Sequence, residues 1–458
     1  MPRLQWPLVQ LALNLYTVRK GFVLCSRGTS SGGVAVKIAL GAALVAFSLA
    51  CHARAEDRPP PAPGAADLDS LPLVIFDDSM GDWVVDRFAG NTMAGSWLYQ
   101  GPALEAGGLQ PIRAPGQCVA TPDGTVYILC ALPGGSFPKL VEVAPDGALR
   151  LLMGDKGLIE GPMELCRASH PLWNPKENTL YLAGFNCLRK VVKRPDGSLW
   201  VEVVAGIPNR PPPPPPYGKP YVAQDGPAKE ATFQSWFRGA VCNSRGTIFW
   251  LEDRGLRRIE DGAVSSVPLK FTEKEEGFSF IMRQNLLSLG EDDDTLYISD
   301  NYGAGHQRIL RCDVRTGTLT RVCGINPRAG DGDRFKRFGR EADGPALTHA
   351  SDNSGIWGHY DPFHRALWIN GPDASRLRWL KLDGDGWVRT VIGARRPETK
   401  PERFGPRELN GPGVPAEHFI SDRYNYFAGT DSRGGLYIIR WTDTTGVWRA
   451  YNKKEVKP

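Results

Sequence analysis

The chain has 458 residues and a formal net charge of +5, from 55 lysines and arginines against 50 aspartates and glutamates. The residues through Ala55 supply six of the basic side chains and none of the acidic ones, so the remainder carries 49 against 50, a net charge of −1. Binding to nucleic acid or to an anionic membrane depends on a concentrated basic face, and we expect neither from a near-neutral body.

Residues 1–55 are predicted to be a secretory leader. Lys37 precedes the apolar run Ile38–Ala50, and Ala53-Arg54-Ala55 follows it, which is the order of charge, apolar core and small-residue cleavage site in a signal peptide. The run is too short to span a bilayer comfortably, so we expect no transmembrane span in the mature chain. Cys51 leaves a lipid anchor open as the alternative to cleavage after Ala55. Either route predicts an exported protein, periplasmic or extracellular.

Residues 56–80 begin with the proline-rich stretch EDRPPPAPGAADLDS and are predicted to be a flexible linker. Residues 81–458 are predicted to be one domain. Within it, a short strand with a central aromatic residue recurs six times, as TVYIL, TLYLA, TIFWL, TLYIS, ALWIN and GLYII. The aromatic residues follow one another at a mean spacing of 62 positions and are expected to be buried: Tyr127, Tyr181, Phe249, Tyr297, Trp368 and Tyr437.

A basic strand and an outer strand follow most of these copies. A repeated four-strand unit cannot bury its apolar face alone, and it predicts an all-β propeller of six four-stranded antiparallel blades. The sixth copy reaches Pro458 before it has a fourth strand, and the stretch WVVDRFAG at Trp83 matches the outer strands of other copies. We therefore expect Trp83–Phe88 to pair with Val447–Ala450, which removes the open edge of the last blade.

A second phrase precedes most units. It reads QDGPAKEATF at Gln224, ADGPALTHAS at Ala342, LNGPGVPAEHF at Leu409 and, more loosely, IEGPMELCRAS at Ile159, and in the first unit only Glu105–Pro115 hints at it. With LYISDN, RILR and V-x-x-V-x-G, these phrases resemble NHL repeats from about Trp83 to Tyr451. The resemblance implies a six-bladed β-propeller and leaves function open, because such rings include protein binders, RNA binders and enzymes. The amidating lyases among them use a histidine-bound metal, and lactonase-like and strictosidine-synthase-like propellers are similar, but their site residues do not map onto this chain.

Seven cysteines follow Ala55, and in an exported protein they are candidates for disulfides. Cys166 and Cys187 lie about equally far on either side of the turn at Asn174–Asn178, so we expect them to form a bridge. Two more pairs flank single hairpins and are predicted with a less certain register: Cys118 with Cys130, and Cys312 with Cys323. Cys242 is left as a buried thiol.

Several polar motifs carry both a functional and a structural interpretation. The acidic stretches Glu291–Asp294 and Asp383–Gly386 resemble calcium loops, and solvated turns explain them better. Asp300 and Arg308 are interpreted as an ion pair within one blade rather than a ligand-facing pair. The six prolines within Arg210–Tyr217 predict a polyproline II arm, in a loop that is either solvated or docks a partner.

The loop lengths predict which face of the ring binds a ligand. The turns from the first to the second strand and from the third to the fourth are tight, whereas the other connections are long and varied, and the two sets emerge on opposite faces. Variable loops on a rigid ring are where binding groups accumulate. The predicted ligand-binding residues on this long-loop face are Trp236, Arg238, Tyr302, His306, His349, Asn370, Asp373 and His418.

These side chains are an aromatic and polar mixture, and they suit a carbohydrate, peptide or protein ligand. The first functional hypothesis is therefore an exported binding scaffold. The second is a metal-dependent lyase or lactone hydrolase with its site on the propeller axis. Near corresponding places in the inter-blade loops lie three histidines that could bind zinc there: His170, His349 and His418. No cofactor is predicted by the sequence, and no catalytic residue is assigned.

Overall fold

Six sheets are arranged as blades of a closed ring. The computed structural model describes residues 75–90, 100–103, 110–111, 118–131, 138–154, 157–210, 224–233, 239–252, 255–272, 287–301, 307–324, 343–348, 357–370, 376–393, 414–415, 425–440 and 446–455. Residues 71–458 form one compact unit and residues 1–70 another, and the predicted leader lies outside the described residues. The inner strands of neighbouring blades contact each other from blade 1 to blade 6 and back to blade 1. The predicted six-bladed β-propeller is confirmed.

The first three blades follow the chain from the inner strand outwards. The inner strand of blade 1 is in two pieces, and the blade comprises Gln110–Pro111, Cys118–Ala120, Val126–Ala131, Lys139–Val143 and Ala148–Met153. Blade 2 comprises His170–Asn174, Thr179–Gly184, Cys187–Lys193 and Leu199–Gly206. Blade 3 comprises Ala240–Cys242, Ile248–Glu252, Gly255–Glu260 and Ala263–Val267.

The next two blades follow the same order, and the last takes its outer strand from the start of the domain. Blade 4 comprises Leu287–Leu289, Thr295–Asn301, Gln307–Asp313 and Thr318–Gly324. Blade 5 comprises Trp357–Asp361, Ala366–Asn370, Arg376–Lys381 and Trp387–Gly393. Blade 6 comprises Asn425–Thr430, Leu436–Arg440, Gly446–Asn452 and Trp83–Ala89. Short 3₁₀ helices lie at Asp78–Asp82, Met163–Leu165 and Ala346–Thr348.

Each blade has a further short strand on its outer edge, which the sequence did not predict. In blades 2, 3 and 5 it is the Gly-Pro of the loop phrase, paired antiparallel with the outer strand. In blade 1 it is Gln100–Pro102, so the loop phrase of this blade lies at Gln100 and not at Glu105–Pro115. In blade 6 it is Val414–Pro415, and in blade 4 it is Lys270–Phe271, which pairs in parallel.

The start of the domain closes the ring as predicted. Trp83–Ala89 pairs with Gly446–Asn452, in a register that sets Trp83 opposite Asn452 and Ala89 opposite Val447. The residues just before this strand, predicted as linker, pack on blade 5, where the Asp77 amide donates to the Thr390 carbonyl at 2.8 Å. The first strand therefore joins the two ends of the domain.

Six hydrophobic clusters hold the blades together, one between each neighbouring pair. The repeated aromatic residue of each second strand lies in one of these interfaces. It is buried in blades 2 to 6, and in blade 1 Tyr127 is partly buried and stacks on Trp173 with ring centroids 6.2 Å apart. The prediction that these six residues are mostly buried is confirmed, and the apolar faces of the blades are buried against each other.

A carboxylate from the loop phrase fastens each of three blades at its outer edge. Glu160, Asp225 and Asp343 each precede a Gly-Pro pair and accept a hydrogen bond from a backbone amide of the outer strand, at 2.6, 2.9 and 3.1 Å respectively. The three amides belong to Val203, Ser266 and Thr390 and lie opposite three buried arginines of the third strand, Arg189, Arg257 and Arg378. We call this arrangement of loop acid, outer-strand amide and buried arginine the clasp.

The clasp is completed by an ion pair in blades 3 and 5. Nη2 of Arg257 lies 2.9 Å from Asp225, and Nε of Arg378 lies 2.6 Å from Asp343. Asp343 is itself buried and also accepts from the Thr390 hydroxyl at 2.7 Å. A charge taken out of water is tolerated only when a partner of opposite sign is held in good geometry, so the loop and the strand hold each other in place.

The seven described cysteines are buried free thiols, and none of the predicted disulfides is present among them. The strand registers explain why two of the three predicted bridges are absent. Cys118 lies opposite Ile128 and not opposite Cys130, and Cys312 lies opposite Leu319 and not opposite Cys323.

The pair predicted as most favourable, Cys166–Cys187, does not face across the expected hairpin. Cys187 lies on the third strand opposite Gly184, and Cys166 precedes the inner strand of its blade. Each thiol points to a nearby backbone carbonyl, that of Gly161 for Cys166 and that of Gly184 for Cys187.

A buried histidine links the end of the chain to blade 5. Nδ1 of His364 lies 2.6 Å from Asp361 and Nε2 lies 2.8 Å from Glu455, while the ring packs 5.0 Å from Trp83. Burial lowers the pKa of His364, but the two carboxylates outweigh it, and the net effect is a raised pKa. The two carboxylates therefore favour the protonated form of the imidazole.

We expect the clasp of blade 5 to contribute more stability than that of blade 2. In Asp343→Ala, the buried Arg378 loses its carboxylate, and the free energy of unfolding should fall by about 3–5 kcal/mol. The matched change Glu160→Ala removes an exposed side chain that holds only the Val203 amide, and should cost within about 1 kcal/mol. Urea unfolding of the purified variants measures both losses in the free energy of unfolding. Equal losses would show that the buried ion pair does not add to the stability of the blade 5 clasp.

The closing contact should weaken at alkaline pH. Because the folded pKa of His364 is raised, its contribution is complete below the unfolded value of about 6.5 and is lost as the pH rises through the folded pKa. Melting temperatures are therefore compared at about pH 6 and about pH 9, which bracket the unfolded pKa of about 6.5. Over this range the melting temperature of the wild type should fall more than that of His364→Gln. Parallel melting curves for the two proteins across this range would contradict the assignment.

Candidate functional site

The long-loop face is the predicted site, and most of its predicted residues lie outside the described residues. These are Trp236, Arg238, Tyr302, His306, His349, Asp373 and His418. Asn370 is described: it ends the second strand of blade 5 and is fully buried opposite Trp357. Its side chain therefore lies at the long-loop end of the blade, below the surface of that face.

The two faces of the ring differ in how their turns are used. On the tight-turn face, neighbouring turns bond to each other: Arg245 of blade 3 pairs with Asp293 and Asp294 of blade 4, and the Ser432 amide of blade 6 donates to the Pro122 carbonyl of blade 1 at 3.0 Å. These bonds commit the polar groups of that face to holding blades together.

The long-loop face is more uneven than the sequence predicted. The connections from second to third strand span five to seven residues in blades 1, 4, 5 and 6, but only two in blades 2 and 3. In blade 2 these two are Phe185 and Asn186, with φ of 59° and 62°. The prediction of long connections from second to third strand is wrong for these two blades, and in blade 2 the Phe185 carbonyl accepts from the Asn209 amide at 3.0 Å.

In blade 3 the long-loop end holds a compact charged group. Glu252 is buried at the end of the second strand and accepts from Nε1 of Trp250 at 3.1 Å. Nη1 of Arg257 lies 3.5 Å from the same carboxylate, and Asp225 lies on its other side. One guanidinium is thus placed between two carboxylates.

Blade 4 carries the pair that was interpreted as structural. Asp300 and Arg308 lie directly opposite each other on paired strands, with Nη2 of the arginine 2.8 Å from the carboxylate. Both side chains are buried, and the guanidinium also lies 5.0 Å over the ring of Phe271. This geometry agrees with an ion pair that ties the blade together.

Two histidines of the inner strands stay neutral near pH 7. Burial lowers the pKa of His170 in blade 2 to about 4, and burial likewise lowers the pKa of His359 in blade 5 to about 4. The His359 ring packs 6.1 Å from Phe427 of blade 6, inside a blade interface. His349 and His418 lie outside the described residues, so the three-histidine hypothesis is not tested.

The acidic turns have protein partners. In Glu291–Asp294, Glu291 accepts from Arg311 at 3.2 Å and Asp293 accepts from the Ser244 hydroxyl at 2.6 Å. In the other turn, Asp385 pairs with Arg389. The described part of the chain holds no group of three or more histidine, cysteine or acidic side chains placed to bind a metal ion.

Sequence reasoning missed the buried arginines of the third strands. Arg189, Arg257 and Arg378 each follow a leucine at the same place in their blades, and each blade also has an acid before Gly-Pro in its loop phrase. That joint recurrence was a usable signal. The basic strand was noted only as a repeated element, and the loop acid was not connected with it, whereas these three arginine side chains are at most 2% exposed.

The strand ends below the long-loop face therefore hold buried charged and hydrogen-bonding groups, and these differ from blade to blade. Such an arrangement can bind and orient a polar ligand. None of the described helices is long and apolar enough to cross a membrane.

No family model matches the chain. No curated protein matches it either. The NHL resemblance therefore stays a prediction, while the propeller itself is shown by the strand pairing.

Solved structures with low sequence identity are similar to this chain. One is an auxiliary nutrient binding protein from Bacteroides ovatus, at 11% identity and a TM-score of 0.49, covering 81% of this chain and 76% of that one. A Bacteroides thetaiotaomicron protein of unknown function has 12% identity and a TM-score of 0.48, with coverage of 80% and 75%. A gluconolactonase from Xanthomonas campestris has 11% identity and a TM-score of 0.36, with coverage of 75% and 87%.

Proposed function

We propose that this protein is an exported binding protein that holds a carbohydrate, peptide or protein ligand in the axial pocket of its long-loop face. The observation that carries the proposal is the contrast between the two ends of the blades. Near the long-loop end, the second strands of blades 2 to 5 carry four different buried residues, Gly184, Glu252, Asp300 and Asn370. At the opposite end the turns repeat a common plan and bond to each other.

The scaffold supports this use because its rigidity does not depend on the loops of that face. Each blade interface has its own hydrophobic cluster, and the ring is closed by a paired strand. Side chains on such a ring can differ from blade to blade without disturbing the core, which is how binding sites are commonly built. Export follows from the interpretation of residues 1–55 as a leader.

The class of ligand follows from the residues predicted on the loops. Trp236 and Tyr302 offer flat apolar faces with a polar atom at the edge, which suits the ring of a sugar or the side chain of a peptide. Arg238, His306 and Asp373 add hydrogen-bond donors and acceptors. The competing hypothesis, a metal-dependent lyase or lactone hydrolase, requires a metal held on the axis.

We expect a ligand identified on immobilised glycan and peptide libraries to bind through the long-loop face of the mature protein. The changes Trp236→Ala, Tyr302→Ala and His349→Ala should each weaken its binding about tenfold or more, as for residues at the centre of an interface. The melting temperature should change little, because the three residues are predicted on variable loops and not in the core of the ring. Calorimetric titration and thermal melts measure the two effects.

The matched control is Arg315→Ala, which changes an exposed side chain on the tight-turn face. It should leave the affinity unchanged. A ligand footprint on the tight-turn face would contradict the proposal, and a tightly held stoichiometric metal in the purified protein would favour the enzyme instead.

A further inference from the structure

One position of the inner strand recurs in all six blades and is titratable in only one of them. It lies opposite the repeated aromatic residue of the second strand, and in blade order it is occupied by Val119, Leu172, Val241, Ser288, His359 and Gly429. Three of these residues are apolar, and one has no side chain. Ser288 is polar, but its hydroxyl accepts from the Tyr360 amide of blade 5 at 3.0 Å. His359 of blade 5 is therefore the one titratable side chain at this level of the ring.

The imidazole of His359 is placed among apolar groups. Its Nε2 atom is buried and has no hydrogen-bond partner among the described residues, while the side chain as a whole is partly exposed. The ring lies 6.1 Å from that of Phe427 on the inner strand of blade 6, and Trp368 lies opposite it on the second strand of blade 5. Such surroundings disfavour the charged form of an imidazole.

The carboxylate of Asp361, two residues further along the strand, is already bonded to other groups. Its Oδ2 atom lies 2.6 Å from Nδ1 of His364 and accepts from Nε1 of Trp368 at 3.0 Å. Phe427 and Trp368, which face His359 across the interface and within the sheet, carry no charge. Burial lowers the pKa of His359 to about 4, and the attraction of Asp361 opposes this only in part.

Protonation of His359 therefore creates an unfavourable contact. Both nitrogens of an imidazolium carry a hydrogen, so Nε2 becomes a buried donor and the ring becomes a cation between two blades. Attraction to the face of Phe427 is smaller than the cost of a buried charge that lacks a hydrogen bond. Separation of the two inner strands admits water to Nε2 and removes that cost.

We propose that the interface between the inner strands of blades 5 and 6, around His359 and Phe427, is an acid-sensitive seam that opens locally when His359 is protonated. The same interface packs Trp83 of the closing strand against blade 5. His359 is two residues from Trp357, which begins the inner strand at the long-loop face. The seam is a conformational device of the ring and does not depend on which ligand the protein binds.

The two histidines near this interface act in opposite directions as the pH falls. Neutral His359 contributes fully above the unfolded pKa of about 6.5, and its contribution is lost as the pH falls towards about 4. The pKa of His364 is raised, so its contribution instead becomes complete below about 6.5. A comparison of the wild type with a variant at His359 cancels the effect of His364.

Hydrogen exchange followed by mass spectrometry on the full protein measures the opening of the seam. Exchange is compared at about pH 7 and about pH 5, which lie on either side of the unfolded pKa of about 6.5, after correction for the pH dependence of the chemical exchange rate. In Trp357–Asp361 and Asn425–Thr430, the equilibrium constant for opening should rise about tenfold or more at the lower pH. The inner strands of blades 3 and 4, Ala240–Cys242 and Leu287–Leu289, meet at Val241 and serve as the internal control.

The variants assign the response to one side chain. His359→Leu gives blade 5 the residue that blade 2 has at this position, Leu172, and should abolish the rise in opening at the lower pH. His359→Gln keeps a polar group that does not titrate and should abolish it as well, so the test does not depend on one variant folding. The matched control is His170→Gln, which changes the inner-strand histidine of blade 2 and should leave the response of the seam intact.

Two results would overturn the proposal. An equal rise in opening in blades 3 and 4 would show that acid loosens the whole ring and not this seam. A rise that persists in His359→Leu or His359→Gln would show that another group senses the proton. A rise confined to blades 5 and 6 that disappears with His359 supports the seam, whatever the outcome of the ligand-binding experiments.

Discussion

A buried guanidinium that needs a partner is the constraint on which the outer edge of this propeller depends. In blades 3 and 5 the partner is the acid of the loop phrase, which also accepts from the outer-strand amide opposite the arginine. The acid cannot leave without stranding the buried guanidinium as an unpaired charge, so the loop that joins two blades is fixed on the second of them. Each blade can then present its inner strand to the ring in a defined place.

Closure of the ring also depends on contacts between segments that are far apart in the chain. The first described strand pairs with a strand more than 350 positions later in the chain, and Trp83 packs among Trp368, Trp379 and His364. Bringing such distant segments together costs loop-closure entropy, which rises only slowly with length. A buried aromatic cluster and an imidazole that contacts two carboxylates together offset that cost at one place.

The polar side chains at the two faces of the ring make different kinds of contact. On the tight-turn face the polar side chains bond from turn to turn, as Arg245 does with Asp293. On the long-loop face the equivalent strand ends differ, with Glu252 in blade 3 and Gly184 in blade 2. Because each blade interface keeps its own hydrophobic cluster, this difference does not alter the fold, and residues on that face can vary with function.

Sequence alone determined the number of blades, the buried aromatic positions and the closing strand, because each is a local pattern that recurs and every copy must solve the same packing problem. It did not determine the disulfides or the clasps. Whether Cys312 meets Cys323 depends on a strand register, and a bulge or a shift of two positions changes it. Arg189 and Arg257 look alike in sequence, yet among the described residues Arg257 has two carboxylates beside it and Arg189 has none, since Glu160 turns to the Val203 amide and Gly184 stands where blade 3 has Glu252. Such differences arise from contacts between segments far apart in the chain, and only the tertiary structure decides them.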